Sequence, residues 1–306
     1  MTANMASTAS GAVRLRGRLR MGTAGGQRVR RPRRPGQTRR AVAIRLAQVA
    51  VLAALIGLWA LSVSEGWVYH LYAASPGSTF RTMFHLFGTA SFWADFRVTM
   101  YETTLGWLIG AAAGLLVGLA LGRWRTMMSV FDPYLTFANA MPKIALAPFF
   151  ILWFGVGTNS KIVLAITIVF FIVEVPTQAA ARQIDPDLVL VVETMATTPL
   201  QQFRKVVVPS LVPTIFGALR LGAVYALLSV VLGEFMAAKL GLGQALLTST
   251  NNFDMATAFA LLIVLALLAV IISGLLGLVE HRLLRWQDVG QGRGRSTAMW
   301  PTSQAA

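Results

Sequence analysis

Cysteine is absent from the 306 residues, and only three histidines occur, far apart along the chain. Disulfides, thiolate metal sites and cysteine nucleophiles are therefore excluded. We predict no metal centre, because a zinc or di-iron site needs several such ligands close together. Charged residues are also scarce, at 13% against roughly 25% in an ordinary soluble domain. A chain so poor in charge cannot cover a water-exposed surface, and we expect most of it to lie in lipid.

The motifs of nucleotide-binding and hydrolytic enzymes are missing as well. No Gly-Lys dipeptide occurs, which excludes a phosphate-binding Walker loop. The chain also lacks Gly-x-Ser-x-Gly, His-Glu-x-x-His and any cluster of paired carboxylates within one apolar run. These patterns carry hydrolytic and acid–base catalysis. We therefore expect no catalytic residue and no cofactor bound by this chain.

The net charge of +15 is concentrated at one end of the chain. Residues 1–45 contain twelve arginines and no acidic residue, whereas the remainder is close to neutral. Such a distribution does not indicate a nucleic-acid partner. The segments 1–43 and 287–306 are predicted to be disordered tails, since the arginine-rich one has few large apolar residues to bury. That tail serves either as an anchor on anionic lipid headgroups or as a passive topogenic extension.

Six apolar runs predict membrane-spanning helices, because about 20 helical residues cross a ~30 Å hydrocarbon core. None has the period-two alternation of a β-barrel. With the N-terminus inside, 21 of the 27 basic residues fall on the inner side, so both termini are predicted to be cytoplasmic. The outer side has only Arg81, Arg97, Lys161 and Lys239. The fold class is all-α and polytopic, with a transmembrane domain over 44–286. The predicted spans are 44–63, 98–121, 133–156, 161–182, 212–236 and 256–280.

Small residues and prolines mark two of these spans. Glycine at every fourth position of the second span forms one stripe, along which another backbone can approach closely. In the third span, Pro142 and Pro148 remove backbone donors and should bend or loosen the helix. Such a break either lines a transport pathway or is a packing kink. The stripe consists of Gly106, Gly110, Gly114, Gly118 and Gly122.

The segments between the spans contain helix-start signals. In the outer loop, Ser75-Pro76-Gly77-Ser78 precedes an apolar face over residues 80–87, which predicts a short helix on the membrane surface or capping the bundle. In the inner loop 183–210, Asp185-Pro186-Asp187 and Thr198-Pro199-Leu200-Gln201 predict two short helices, the second with a capping box. Their apolar side chains either pack on the chain's own bundle or need a partner surface.

Four ionisable residues lie inside the predicted spans and are candidates for a transport pathway. Lys143 and Arg220 either attract an anion or extend towards the membrane interface. Glu234 lies near the outer end of its span, and Glu174 has no evident role.

Five segments together resemble the integral-membrane permeases of binding-protein-dependent ABC importers, in particular the nitrate, sulfonate and taurine branch. The resemblance covers about residues 75–287. It implies the type I importer permease fold, a bacterial plasma membrane location and a second permease copy in a homodimer. It also implies an extracytoplasmic substrate-binding protein and an ATPase dimer that uses ATP and Mg. The segments are ALAPFFILWFGVG (145–157), IDPDL (184–188), FRKVVVP (203–209), GALRL (217–221) and EHRLLRW (280–286).

The resemblance also assigns roles to residues. The family's inner loop has Glu-Ala-Ala, then Gly, then Leu-Pro; here Leu190 and Ala196 replace the Glu and the Gly, whereas Pro209 is kept. Glu234 matches an acidic position of the family, where contact with the binding protein or a structural hydrogen bond both fit. The residues expected to couple to the ATPase are Leu190, Glu193, Met195, Ala196, Thr197, Thr198, Pro199, Gln201, Phe203, Arg204 and Pro209.

The function that the resemblance implies is a non-catalytic permease that forms the pathway for a small anion of sulfonate, taurine or nitrate type. A pyrimidine or thiamine precursor is the alternative cargo, because similar permeases serve such compounds. A secondary transporter is a third possibility, but it would need an inverted repeat and paired mid-membrane charges, and neither is visible. A membrane enzyme would need a catalytic constellation, and none is visible either.

Overall fold

The computed structural model describes residues 35–67, 69, 71–183, 198–202 and 208–283. All regular structure in these ranges is helical, as the sequence predicts. Contacts divide the chain into one unit that ends at Ala54 and another that begins at Leu55, and the functional residues lie in the second. In chain order the helices are α1 (Pro35–Ser64), α2 (Pro76–Leu86), α3 (Ala90–Arg123), α4 (Arg125–Ala140), α5 (Ala147–Phe154), α6 (Thr158–Arg182), α7 (Pro199–Gln202), α8 (Val208–Met236), α9 (Leu242–Asn251) and α10 (Met255–Leu283).

The long helices match the predicted membrane spans. Within the described ranges, α1, α3, α6, α8 and α10 are long and apolar enough to cross a membrane, and α4 with α5 makes a sixth crossing if the bent pair counts as one. The helix ends differ from the predicted ones. Helix α3 begins at Ala90, well before residue 98, because the hydroxyl of Thr89 accepts a hydrogen bond from the backbone N–H of Phe92 and caps the helix. Hydropathy misses these turns because they contain Asp95 and Arg97.

The third predicted span is not a single helix. Helix α4 ends at Ala140, a 3₁₀ turn follows over Lys143–Leu146, and the axes of the two parts differ by 83°. Met141 is extended, as expected of a residue before a proline. Pro148 lies in the first turn of α5, where a missing N–H costs nothing. The expected bend is therefore a break between two helices.

Helices α3 and α6 pack closely along the glycine stripe. A Cβ atom added to Gly110 would lie 2.8 Å from the carbonyl oxygen of Ile166, and one added to Gly118 would lie 2.8 Å from that of Glu174. Gly110 and Gly118 are eight residues apart on α3, and their neighbours Ile166 and Glu174 are eight residues apart on α6 in the same order. The two helices therefore run parallel. Backbone packed this closely on backbone leaves no room for a side chain.

Helix α8 covers the paired helices from one side. Val169 and Val173 of α6 form a buried cluster with Ala226 of α8 and Ala111 of α3. The indole N–H of Trp107 donates a hydrogen bond of 3.0 Å to the backbone carbonyl of Leu219. These contacts make α3, α6 and α8 the central packing unit of the described bundle.

Two short helices cap one end of the bundle. Helix α2 is the one predicted in the outer loop, and Ser75 caps it by accepting a hydrogen bond from the N–H of Ser78 (3.2 Å). Its Met83 enters a buried cluster with Leu242 of α9 and Leu261 of α10. Phe84, expected on the same apolar face, is exposed instead. Helix α9 was not predicted, because its ten residues are too polar to register as an apolar run.

Candidate functional site

Lys143 lies in the break between α4 and α5. Its ammonium donates hydrogen bonds to the backbone carbonyl of Asn139 (2.7 Å) and to the side-chain Oδ1 of the same residue (3.0 Å). It also lies over the ring of Phe171, 4.7 Å from the centroid, in a cation–π contact. An ammonium has three donors, so the two bonds to Asn139 leave one for another acceptor.

A cavity of about 260 Å³ opens beside this ammonium. Tyr225 and Ser229 of α8 line it together with Lys143, and the rest of its lining is apolar. The hydroxyl of Ser229 donates its proton to the backbone carbonyl of Tyr225 (2.5 Å), so in this arrangement it does not donate to a bound anion. An apolar cavity with one cation and a few polar groups suits a small anion that carries an apolar part.

Arg220 does not share this cavity. Its Nη1 lies 3.3 Å from Oε2 of Glu280, and the two side chains are 43% and 22% exposed. The pair joins the middle of α8 to the end of α10. The charge of Arg220 therefore has a partner within the chain, although at this exposure the pair contributes little to stability.

Glu174 lies on α6 within the α3–α6 packing. Its side chain is 1% exposed, and its Oε1 has no hydrogen-bond partner among the described residues. The backbone N–H of Glu174 would meet a Cβ placed on Gly114 at 3.1 Å. Glu174 was a pathway candidate without a specific role, and its enclosed position adds none.

Glu234 is fully buried and hydrogen-bonded through both carboxylate oxygens. Oε1 accepts from the hydroxyl of Thr99 (2.7 Å), and Oε2 accepts from the backbone N–H of Gly243 (2.7 Å). The hydroxyl of Thr99 in turn accepts from the N–H of Leu242 (2.9 Å). Contact with the binding protein and a structural hydrogen bond are the two roles that fit Glu234. The structure has such hydrogen bonds, and they link the start of α9 to α3 and α8.

A buried ion pair lies next to this network and was missed by the sequence analysis. Oε1 of Glu102 lies 3.7 Å from Nζ of Lys161, and the side chains are 0% and 4% exposed. Lys161 also donates to the carbonyls of Val156 (3.3 Å) and Gly157 (3.1 Å). The sequence placed Lys161 among the basic residues of the outer side, and the structure buries its side chain. The pair borders a cavity of about 360 Å³, which the exposed Lys239 also lines.

A signal for this region was present in the sequence. Thr99, Glu102 and Thr103 precede Gly106 by seven, four and three positions, the spacing of one helix face. The glycine stripe is therefore continued by polar residues, which the structure buries against α6 and α8. Polar residues on a stripe that packs against another backbone should be expected to have partners there.

Only part of the predicted coupling loop is described. Thr198, Pro199 and Gln201 form the start of α7, and both bonds of the predicted capping box are present. The N–H of Gln201 donates to Oγ1 of Thr198 (3.4 Å), and the N–H of Thr198 donates to Oε1 of Gln201 (3.1 Å). Pro209 lies in the first turn of α8. Outside the described residues lie Leu190, Glu193, Met195, Ala196, Thr197, Phe203 and Arg204.

The four charged candidates thus do not form one site. The cavity beside Lys143 is lined by none of the other three. Arg220 pairs near the end of α10, Glu174 is enclosed between helices, and Glu234 holds the start of α9. In the described part of the chain, no three His, Asp or Glu side chains are placed to hold a metal ion. The arrangement around Lys143 can bind and orient an anion, whereas it offers no nucleophile–base pair.

Comparisons with known proteins agree on one family. The family described as "Binding-protein-dependent transport system inner membrane component" matches residues 106–285. The putative aliphatic sulfonates transport permease protein SsuC of Bacillus subtilis is 28% identical over 240 residues, which cover 78% of this chain and 87% of SsuC. The formylaminopyrimidine transport permease protein ThiX of Halalkalibacterium halodurans is 28% identical over 196 residues, which cover 64% and 78%.

A solved structure has a similar fold. The inward-facing MetNI methionine ABC transporter contains a chain that matches with a TM-score of 0.55 at 19% identity. The match covers 62% of this chain and 96% of that one. At this identity the likeness shows the fold alone. Side-chain roles do not follow from it.

Proposed function

The chain belongs to the family of inner membrane components of binding-protein-dependent transport systems and is the permease subunit of an ABC importer; from this premise, we propose that its cargo is a small organic or inorganic anion of sulfonate, taurine or nitrate type, with a sulfonate as the first candidate. A relative named for aliphatic sulfonates matches along 78% of the chain. Taurine is itself a sulfonate, whereas nitrate is an inorganic anion without an apolar part.

One observation supports this cargo above the others. The ammonium of Lys143 lies at a helix break, beside a cavity with an otherwise largely apolar lining. Broken helices in transporters often border the substrate path, and a charge at depth in a membrane protein is a default functional candidate. A sulfonate would accept a hydrogen bond from Nζ while its alkyl part contacts the side chains of Ile168 and Leu228.

The driving force in this proposal comes from other subunits. A separate ATPase pair, which uses ATP and Mg, binds the inner loop around Thr198 and moves it as a lever. The reciprocal capping bonds of Thr198 and Gln201 support this role, because they stiffen the start of α7. A loaded binding protein docks on the other side, and a second permease copy completes the pathway. ATP and the binding protein must each favour a different conformer.

The proposed location is a bacterial plasma membrane, with both termini in the cytoplasm. The excess of basic residues at the ends of α3, α6 and α10 supports this orientation. The arginine-rich tail adds to the same side.

A pyrimidine or thiamine precursor remains the second candidate cargo. The likeness to ThiX favours it, and so do the aromatic rings of Phe171 and Tyr225 near Lys143, on which a heteroaromatic ring can stack.

The test is transport by the reconstituted importer. The chain is purified with an ATPase subunit and a binding protein from the same genome and placed in liposomes that contain ATP. We expect ATP-dependent uptake of radiolabelled ethanesulfonate and no uptake without the ATPase. Uptake of a formylaminopyrimidine but not of the sulfonate would favour the second candidate. Sulfonate movement by this chain alone, unaffected by deletion of residues 185–208, would overturn the importer mechanism.

A further inference from the structure

A third cavity lies where α3, α4 and α6 meet, at the opposite end of the bundle from the Glu102–Lys161 pair. Its volume is about 500 Å³. Arg123, Arg125 and Arg182 line it, and none of these three has an ion pair among the described residues. The three side chains are exposed, so water and salt screen part of their mutual repulsion, and an anion bound between them would relieve the remainder. No carboxylate of the described chain takes that place.

The local fold holds these charges together. The glycine stripe keeps α3 and α6 parallel, so that the two helices end side by side at Arg123 and Arg182. Trp124 alone separates α3 from α4, and it caps α4 without a side-chain hydrogen bond. The first turn of α4 therefore begins at Arg125 with backbone N–H groups that no cap satisfies. The positive end of a helix dipole adds to the charge of the arginines.

The floor of the cavity is apolar, unlike its rim. Leu121 and Met128 are buried there beside the methyl group of Ala181. Such a pairing of an apolar floor with guanidinium groups suits an amphipathic anion. Arginine binds phosphate oxygens with two parallel N–H bonds, and glycerol or acyl carbons can contact the floor.

The position along the helices identifies the class of ligand. The arginines end two membrane-length helices, which is the depth at which lipid headgroups lie. Trp124, more than half exposed, lies at the same level, as interface tryptophans do. In the proposed orientation this is the cytoplasmic leaflet, where anionic lipids attract basic residues.

We propose that this cavity binds the phosphate of an anionic phospholipid, with Arg123, Arg125 and Arg182 as its ligands. The site is separate from the cavity beside Lys143 and is independent of which cargo the importer carries. Bound lipid would hold the ends of α3 and α6 to the start of α4. Each arginine should contribute about a fivefold preference for an anionic over a zwitterionic lipid.

The test uses the purified full-length chain in detergent and native mass spectrometry of bound lipid. Phosphatidylglycerol and phosphatidylcholine are titrated separately. We expect the wild type to bind its first phosphatidylglycerol at least tenfold more tightly than phosphatidylcholine. The triple variant R123Q/R125Q/R182Q should lose this preference. The triple lysine variant should keep part of it, because the charge remains. If the triple glutamine variant does not fold, Arg125→Gln alone should still reduce the preference about fivefold.

The matched control is Arg282→Gln, which removes one exposed arginine from the last turn of α10, outside the cavity. It should change the preference less than twofold. If Arg282→Gln and Arg125→Gln reduce the preference equally, general electrostatics and not a binding site is responsible, and the proposal is overturned. Displacement of the lipid by millimolar inorganic phosphate would also overturn it. Loss of ATPase-subunit binding in the triple variant, with lipid preference unchanged, would assign the arginines to a protein partner instead.

Discussion

The carboxylate of Glu102 lies 3.7 Å from the ammonium of Lys161, and both side chains are buried where α3 meets α6. Neither carboxylate oxygen of Glu102 has a hydrogen-bond partner in the described part of the chain. Lys161 also donates to two backbone carbonyls, whereas Glu102 depends on the charge of Lys161 for its stabilisation. Glu102 would be an isolated buried charge without Lys161, and burying such a charge is costly.

Lys161→Met should destabilise the protein by about 3–5 kcal/mol, because it leaves the charge of Glu102 unpaired. The double variant Glu102→Gln with Lys161→Met should recover much of this loss. Thermal unfolding in detergent gives the measurement, and Lys239→Met is the control, since Lys239 lines the same cavity but is exposed. Equal effects of the Lys161 and Lys239 variants would contradict the prediction.

Thr99→Val should cost about 2–3 kcal/mol, because it removes a donor to the buried Glu234 and an acceptor for the N–H of Leu242. Valine has the same shape, so packing should not change. Thr104→Val is the matched control on the same helix, where the side chain is exposed. Unfolding midpoints that agree within error for the two variants would show that the network contributes nothing.

Gly114→Ala should destabilise the α3–α6 packing by about 1–3 kcal/mol. The added Cβ would lie 2.5 Å from the carbonyl oxygen of Phe170, which is backbone and cannot rotate away. Gly274→Ala, in a span with nothing within 4 Å of the new atom, should be neutral or stabilise the helix slightly. The measurement is the resistance of the two variants to protease in membranes. A Gly274→Ala variant more sensitive to protease than Gly114→Ala would contradict the prediction.

Lys143→Gln should raise the KM for sulfonate about 10- to 100-fold, the effect of one lost charge-assisted hydrogen bond. Lys143→Arg should keep most of the affinity because the charge remains. Arg220→Gln should change KM less than twofold, since Arg220 pairs with Glu280. Uptake into proteoliposomes decides the matter, and unchanged transport in both glutamine variants would exclude an anion site at either residue.

Thr198→Ala should lower the stimulation of the ATPase by the loaded binding protein. Losing the cap costs about 1 kcal/mol of helix stability at the start of α7. Gln202→Ala, in the same helix, leaves both capping bonds intact and is the control. Basal ATPase activity reports on assembly of the complex, and a fall in basal rate without a fall in stimulation would argue against a role in coupling.

The sequence predicted those features that depend on local spacing. Apolar length gave the spans, Thr198 and Gln201 gave the capping box, and the four-residue repeat of glycine marked the face of α3 that packs against α6. Each of these follows from the geometry of one helix.

Features that depend on two helices at once could not be predicted. The pairing of Glu102 with Lys161 requires knowledge that α6 faces the polar end of the stripe, and the pairing of Arg220 with Glu280 requires knowledge that α8 and α10 are antiparallel neighbours. The complete break at Met141 exceeded the predicted bend, because an extended residue before Pro142 stops the helix altogether.

The close backbone contact between α3 and α6 restricts how the protein can move. Two helices in backbone contact over four turns cannot slide or rotate past each other without steric clash. We therefore expect α3 and α6 to move as one rigid body throughout the transport cycle. Conformational change must then occur at less tightly packed places, and the break between α4 and α5 after Ala140 is such a place. Spin labels on α3 and α6 should keep a fixed separation while labels on α4 and α5 do not.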